Sequence, residues 1–392
     1  MYDSRLDNIT SLEFSAVARK ARNDGQNLIS LGLGEPHWDP PIEITNHLSQ
    51  IIKDSSFGYS SPYGETSLRE SILSDLNNKY QLKFNLSNVM ITNGAKGALT
   101  LALSSILEAG DNVLVVEPCY VSYIPQIFLA APNTSPISFK LDSNFDFDFV
   151  QLKKVLLDKK PKCILISSPC NPTGISLSAD ELSNLVSLAR LVDCYLIVDE
   201  IYSDLSLESN VNSRFTTSLS LFNTYNKLIY INGFSKTFAM TSWRIGFLIA
   251  NNFVINRSLK LLQHQITCIP SFLQKSASKF LHVHPSWVHD KCLSLRKNLN
   301  LFSQVIEDHS LCDIISFRRP SHGMFVFPHV DLPNFDSDKF SSNLLKSKSV
   351  AVAPGKIFGS SWNNYIRISL ASPCDVFSEG IHKLIYFIKE SP

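Results

Sequence analysis

Six short apolar runs, spaced by segments long enough to be helices, constrain this chain more than any other feature. They are "NVMITNG" (88–94), "NVLVVEP" (112–118), "CILISSP" (163–169), "CYLIVDE" (194–200), "KLIYING" (227–233) and "RIGFLIA" (244–250). Between several of them lie helical patterns, such as "AKGALTLALSSILEAG" and "SADELSNLVSLARLVD". Continuous apolar strands separated by helices imply an α/β architecture, a mostly parallel sheet covered on both faces. In such sheets ligands bind beyond the carboxyl ends of the strands. The C-terminal part reads differently. An amphipathic helix, "SWVHDKCLSLRKNLNLFSQVIED", precedes the strands "GMFVFPHV" and "YIRISLA" and a terminal helix, "DVFSEGIHKLIYFIKE". That order predicts a smaller α+β domain. The N-terminal "SLEFSAVARKARNDG" predicts one more helix, ahead of the loop "LGLGEPHWDPP".

Several classes of partner are disfavoured. The net charge is +1, which gives no footprint for nucleic acid or an acidic membrane surface. The eight cysteines show no CxxC pair, and those in "KCILI" and "VDCYLIV" sit in apolar runs, where a thiol acts as a small hydrophobe. A reduced, cytoplasmic protein is the expectation. The start "MYDSRLDNITSLEF" has two aspartates and no long apolar run, so it does not read as a signal peptide. No stretch approaches the roughly 18 apolar residues of a membrane span. His282, His284 and His289 lie close together in "FLHVHPSWVHDK", but no cysteine or carboxylate cluster completes a tetrahedral set, so no metal is expected.

The polar residues at strand ends carry the chemistry. Asp199 ends one strand, and Asn171 with a Pro-Thr-Gly turn follows another. Tyr120 and Tyr123 follow a third, and Asn93-Gly94-Ala95-Lys96 opens a helix after a fourth. Ser235 and Lys236 follow a fifth, in "NGFSKTFAMTSWRIGFLIA", where Arg244 precedes the next strand. A lysine, an aspartate, an asparagine, aromatics and a helix N-terminus would then converge. Pyridoxal 5'-phosphate needs such a set. Its aldehyde needs a lysine amine, and its pyridine nitrogen stays protonated only beside a buried carboxylate. Its phosphate needs backbone N–H groups at a helix N-terminus, a hydroxyl and an arginine fork. Its ring needs an aromatic platform.

Ten motifs in sequence order carry a resemblance: "GLGEP", "YSSPYGETSLRE", "TNGAKGAL", "EPCYVSY", "SSPCNPTG", "VDEIYSDL", "GFSKTFAMTSWRIGF", "QITCIP", "HGMFVF" and "YIRISLA". Through them the chain resembles the class I/II aminotransferases, fold type I pyridoxal-phosphate-dependent enzymes, over nearly its whole length. The resemblance implies a mostly parallel seven-stranded sheet between helices plus a smaller α+β domain. It implies an N-terminal arm at 1–45, a large cofactor-binding domain at 46–285 and a small domain at 286–392. Lys236 is then the residue bonded to the cofactor aldehyde and the carrier of the substrate Cα proton. Asp199 pairs with the pyridine nitrogen, Tyr202 and Asn171 hydrogen-bond the 3'-oxygen, and Tyr120 stacks on the ring. Backbone groups of Ala95 and Lys96, with Ser235 and Arg244, hold the phosphate. Tyr59 reaches the phosphate of a neighbouring subunit and Thr267 contacts the partner's site, so a homodimer with shared sites is implied. Arg367 binds the substrate α-carboxylate, helped by Asn171 and the backbone of Gly34. An arginine inside an apolar strand is costly without an anion to bind, which agrees with that role.

Two departures stand out. Ser242 occupies the place of the family's usual glycine before Trp243-Arg244, a strained position if the backbone there needs a positive φ. His37 and Trp38 replace the usual aspartate and phenylalanine in the loop that borders the substrate side chain in the family, so they are candidates to contact an unusual substrate. The expected function is transfer of an amino group between an L-amino acid and a 2-oxo acid by a ping-pong mechanism. Elimination, replacement or cyclisation on the same scaffold is the alternative, because it needs the same lysine, aspartate and arginine. A cofactor-sensing regulator would need an added DNA-binding domain, for which the match leaves no room.

Overall fold

The computed structural model describes residues 28–54, 58–82, 84–208, 215–279, 281 and 285–390. The helix expected at 11–25, His282 and His284 lie outside the described residues. After a short strand β1 (Ile29–Ser30) come the seven strands of the main sheet. They are β2 (Val89–Asn93), β3 (Asn112–Glu117), β4 (Ser135–Lys140), β5 (Cys163–Ser167), β6 (Tyr195–Asp199), β7 (Leu228–Gly233) and β8 (Ile245–Ile249). Their order in space is β2-β8-β7-β6-β5-β3-β4. β8 runs antiparallel to both β2 and β7, and the other neighbours are parallel. All six strands expected from apolar runs are present. The seventh, β4, is the edge strand "SPISFK", with only Phe139 fully buried. An edge strand needs no continuous apolar run, so periodicity does not reveal it.

Alternation along the buried strands sorts side chains to two faces. Val113, Val115, Cys163, Leu165 and Ile197 join a core that includes Leu99, Ala102 and Leu103. These last three lie on one of the described helices, which in chain order begin with α1 (Ile42–Asp54), α2 (Thr66–Tyr80) and α3 (Gly94–Ile106). Leu114, Val116, Ile164, Ile166, Leu196 and Val198 face the opposite core. There they meet Leu152 and Leu156, then Leu182 and Leu185, from two helices that follow α4 (Tyr123–Ala130): α5 (Phe149–Lys159) and α6 (Ala179–Leu191). The start of α6 is legible in its sequence. Ser178 Oγ accepts from Glu181 N (3.2 Å) while Glu181 Oε2 accepts from Ser178 N (2.8 Å), a reciprocal capping box.

The chain then passes through α7 (Asn252–Gln265) and α8 (Ser271–Ser278) to the long α9 (Pro285–Asp308). Beyond it lie short strands, α10 (Ser337–Lys348) and α11 (Cys374–Glu390). The strands are β9 (Ile315–Ser316), β10 (Phe325–Val326), β11 (His329–Val330), β12 (Val350–Ala351), β13 (Ala353–Pro354) and β14 (Ile366–Ser369). β10, β14 and β13 form an antiparallel sheet, β11 pairs with β9, and β12 pairs in parallel with β1. A third core joins Leu295, Leu299 and Phe302 of α9 with Phe377 and Ile381 of α11. Ile29 and Leu31 belong to it, so the N-terminal segment packs with the C-terminal elements. The eight cysteines carry no disulfide. Among the described residues, no helix is long and apolar enough to cross a membrane, and no group of three or more His, Cys, Asp and Glu could hold a metal.

Candidate active site

The buried strand β7 delivers Lys236 to the sheet edge on a short loop. The amine is half-buried and donates to the Gly34 carbonyl (Nζ–O 2.6 Å). Burial pushes its pKa down to about 8, opposed by Glu35 and reinforced by Arg367, Arg244 and Lys96. Asp199 ends β6. Its Oδ1 accepts from Ile201 N (3.2 Å) and its Oδ2 from the Tyr123 hydroxyl (3.0 Å). Burial raises this carboxyl to about 6, and the two donors and Lys236 oppose the rise. A half-buried lysine that gives up its proton more readily than usual, near a buried carboxylate held by fixed donors, is a reactive arrangement more than a structural ion pair.

Arg367 comes from β14, in the C-terminal sheet, yet meets Lys236 at Gly34: a Cβ there would lie 3.9 Å from Arg367 Nη2, and the Gly34 carbonyl takes the Lys236 bond. Its Nη1 donates to Asn171 Oδ1 (2.8 Å) and its Nη2 to the Gly32 carbonyl (2.6 Å). Its guanidinium carbon lies 4.1 Å from the centre of the Phe325 ring and 4.9 Å from that of Phe358. Nε is buried without a hydrogen-bond partner. Burial lowers its pKa to about 10, and no carboxylate forms an ion pair with it among the described residues. A clamped guanidinium with an unused donor is suited to an incoming carboxylate. Tyr202 is buried with its ring edge-on to Phe325 (5.7 Å). Tyr120 stands edge-on to Tyr123 (5.7 Å), and the Lys96 ammonium lies over the Tyr120 ring (5.7 Å).

The helix α3 starts beside the same edge. Its N-cap Asn93 makes no side-chain capping bond, so the first N–H groups, those of Ala95 and Lys96 included, carry no cap. Arg244 enters here because β8 is antiparallel: its start lies beside the ends of β2 and β7, with Asn93 paired to Ile245 and Gly233 to Gly246. A Cβ on Gly94 would lie 2.4 Å from Arg244 Nη2, which places the guanidinium at the helix start. Gly246 is required by the same closeness, since its Cβ would lie 2.4 Å from the Gly94 carbonyl carbon and 2.5 Å from Ala95 N. Uncapped N–H groups beside a guanidinium make a ready anion cradle. Ser235 is buried next to Lys236. Ser242 is not strained: the positive φ angles of this segment fall on Ala239 (56°) and Arg244 (55°).

Four further candidates come from two other parts of the chain. His37 is hydrogen-bonded to the Ala371 backbone, and its ring meets Trp38 edge-on at 5.0 Å. Trp38 packs on the C-terminal core, and its Nε1 is buried without a partner. That core also contains Tyr202 and Phe325. Tyr59 is 88% exposed. Thr267 is exposed and holds φ at 67°, a strained setting for a β-branched residue. The two loops are tied by Ser60 Oγ donating to the Ile269 carbonyl (2.8 Å), so Tyr59 and Thr267 share one surface. The structure also adds residues that motif spacing does not single out. Glu35 accepts from Thr241 Oγ1 (2.7 Å) near Lys236, and Phe325 and Phe358 sandwich Arg367. Tyr123 was visible beside Tyr120 at a strand end, but only the fold turns its hydroxyl to Asp199.

With this geometry in place, comparison with known proteins is informative. The profile of the family "Aminotransferase class I and II" matches residues 26–377. An aspartate aminotransferase of Thermotoga maritima is 32% identical over 378 residues, 96% of each chain. The crystal structure of an aspartate aminotransferase from that organism superposes with a TM-score of 0.89, at 29% identity, over 99% of this chain and 100% of that one. The aromatic aminotransferase from Pyrococcus horikoshii superposes with a TM-score of 0.86, at 30% identity, over 95% of this chain and 99% of that one.

Proposed function

This chain belongs to the class I and II aminotransferase family and is an aminotransferase, and we propose that it uses pyridoxal 5'-phosphate at Lys236 to move the amino group of an acidic L-amino acid to a 2-oxo acid. The observation that carries the cofactor assignment is Lys236, a half-buried amine held near 8 and electrostatically coupled to the buried carboxylate of Asp199. The residues present fit the cofactor. Asp199 carries a buried negative charge suited to a protonated ring nitrogen, and Tyr123 and Ile201 fix its direction. The start of α3, Ser235 and Arg244 suit a phosphate. Asn171 and Tyr202 suit the ring oxygen, and Tyr120 the ring face.

When bound, the cofactor supplies an aldehyde that accepts the amino group and a ring that takes up the electron pair left at the substrate Cα. The chain supplies the rest. Arg367 binds the α-carboxylate and orients the substrate. Lys236 Nζ takes the Cα proton and returns it to the other end of the system. Asp199 holds the proton of the ring nitrogen in place. The division into an arm (1–45), a large unit (46–285) and a small unit (286–392) puts Lys236 and Arg367 on different units, with the site where they meet. Tyr59 and Thr267 reach the partner's site in a homodimer.

Substrate class rests on Lys96. Its ammonium is half-buried over Tyr120, and among the described residues it forms no ion pair with a carboxylate. A cation so placed favours a side-chain carboxylate on the substrate. The aspartate aminotransferases among the relatives agree with that class. The test uses the cofactor-loaded protein with L-aspartate, L-glutamate, L-phenylalanine and L-alanine carrying labelled amino nitrogen. Acidic donors should pass the label to 2-oxoglutarate or oxaloacetate. Lys96→Ala should lower kcat/KM for aspartate about tenfold and leave phenylalanine unchanged. Labelled ammonia in place of a labelled amino acid would point to elimination.

A further inference from the structure

Residues 320–325 are held between two loops that carry members of the site. On one side the Gly174 carbonyl accepts from both Ser321 N (3.0 Å) and His322 N (3.0 Å). On the other, Leu207 N donates to the Ser321 carbonyl (2.8 Å) and Gly323 N to the Leu205 carbonyl (2.7 Å). The first loop carries Asn171 and the second follows Tyr202. The segment then enters β10, where Phe325 lies under Arg367 and against Tyr202.

Side chains close this clasp. Ser321 Oγ donates to Ser176 Oγ (3.0 Å), with the Gly174 carbonyl as a second acceptor at 3.3 Å, and Ser176 Oγ is hydrogen-bonded to His322 Nδ1 (3.1 Å). The His322 ring is buried and stands edge-on to Phe215 at 5.2 Å. Gly174 has φ 69°, and a Cβ there would lie 2.5 Å from Pro320 Cβ and 2.7 Å from the His322 carbonyl oxygen, so only glycine lets the loops sit this close. Burial lowers the pKa of His322 to about 4, so the ring is neutral, with one nitrogen a donor and the other an acceptor.

We propose that the Ser176–His322 pair is a positioning device for the α-carboxylate subsite. It locks the Asn171 loop against the Phe325 strand, and these two together aim the Arg367 guanidinium. Asn171 sets one edge of the fork and Phe325 sets its plane, so slippage between them would tilt the fork. The proposal rests on the assignment of Arg367 to the substrate carboxylate.

Its test uses the cofactor-loaded protein and propionate, a carboxylate with no amino group to react. Dissociation constants for propionate and for the cofactor, the KM and kcat for the amino acid, and the thermal midpoint are measured. His322→Phe keeps the ring contact and loses the hydrogen bond, and Ser176→Ala loses the same bond from the other side. Both should weaken propionate and raise KM about fivefold, with kcat and cofactor affinity within about twofold of wild type. His322→Asn, which keeps a polar atom at the δ position, should restore propionate binding. The proposal is overturned if both variants bind propionate as wild type does. It is equally overturned if propionate, cofactor and kcat all decline together, the mark of general loosening. Arg367→Leu separates the two levels. If it binds propionate as well as wild type, the carboxylate assignment falls and the clasp with it; if only the His322 and Ser176 variants fail to respond, the clasp alone falls.

Discussion

Burial acts on Lys236 in a direction that favours chemistry and opposes folding. The amine is drawn down to about 8, so a sizeable neutral fraction exists near neutral pH. The folded chain still holds the charged form at a cost at pH 7, because the unfolded lysine would sit near its ordinary value. Between about 8 and 10.5 the unfolded state binds more protons than the folded state, so stability rises with pH across that window. In cofactor-free protein, Lys236→Met should therefore gain on the order of 1–3 kcal/mol at pH 7. The gain should shrink as the pH climbs through that window, as urea unfolding at several pH values would show. A variant less stable than wild type at every pH would refute the sign. The same substitution should abolish amino transfer.

At the scale of elements, one reversed strand decides where the anion cradle lies. Were β8 parallel, Arg244 would sit at the far edge of the sheet, away from the start of α3. Its antiparallel run brings residue 244 to the ends of β2 and β7 and packs Gly246 against the first turn of α3. Gly246→Ala would force backbone apart at that contact, because the new methyl meets main-chain atoms that cannot rotate away. A loss of about 1–3 kcal/mol in stability is expected. Cofactor affinity should fall at least about tenfold, since the displaced groups are the N–H donors themselves. Fluorescence titration with pyridoxal 5'-phosphate reads the second effect. Unchanged affinity would remove α3 from the cradle.

At the scale of the molecule, the site exists only where distant parts of the chain meet. Arg367 of β14 bonds to Asn171 after β5 and to Gly32 near the N-terminal strand, while Lys236 bonds to Gly34. Tyr59 and Thr267 lie on an exposed face instead, with Ile266 beside them 43% exposed. If that face completes a second subunit's site, inactive chains should repair one another. Lys236→Ala and Tyr59→Ala chains, unfolded and refolded together at limiting cofactor, should outperform either protein refolded alone. Activity equal to the average of the two would mean that each chain builds its site unaided.

Apolar runs and their spacing determined the sheet by themselves, because strands buried on both faces must be apolar throughout. The proposed site residues were legible as candidates, since Lys236, Asp199 and Asn171 stand out after apolar runs and Arg367 inside one. Edge strand β4 and the short strands β1, β9, β12 and β13 were not legible, because half-exposed or two-residue strands carry no periodic signal, whereas β10, β11 and β14 fall within the runs "GMFVFPHV" and "YIRISLA". Only the tertiary structure decided the contacts across units: Tyr123 on Asp199, the two phenyl rings around Arg367, Glu35 near Lys236, and His322 on Ser176. The physical reason is common to all of these. A side chain's residue type says what it can bond to, but long-range packing sets which partner comes within about 3 Å, and no local pattern records that.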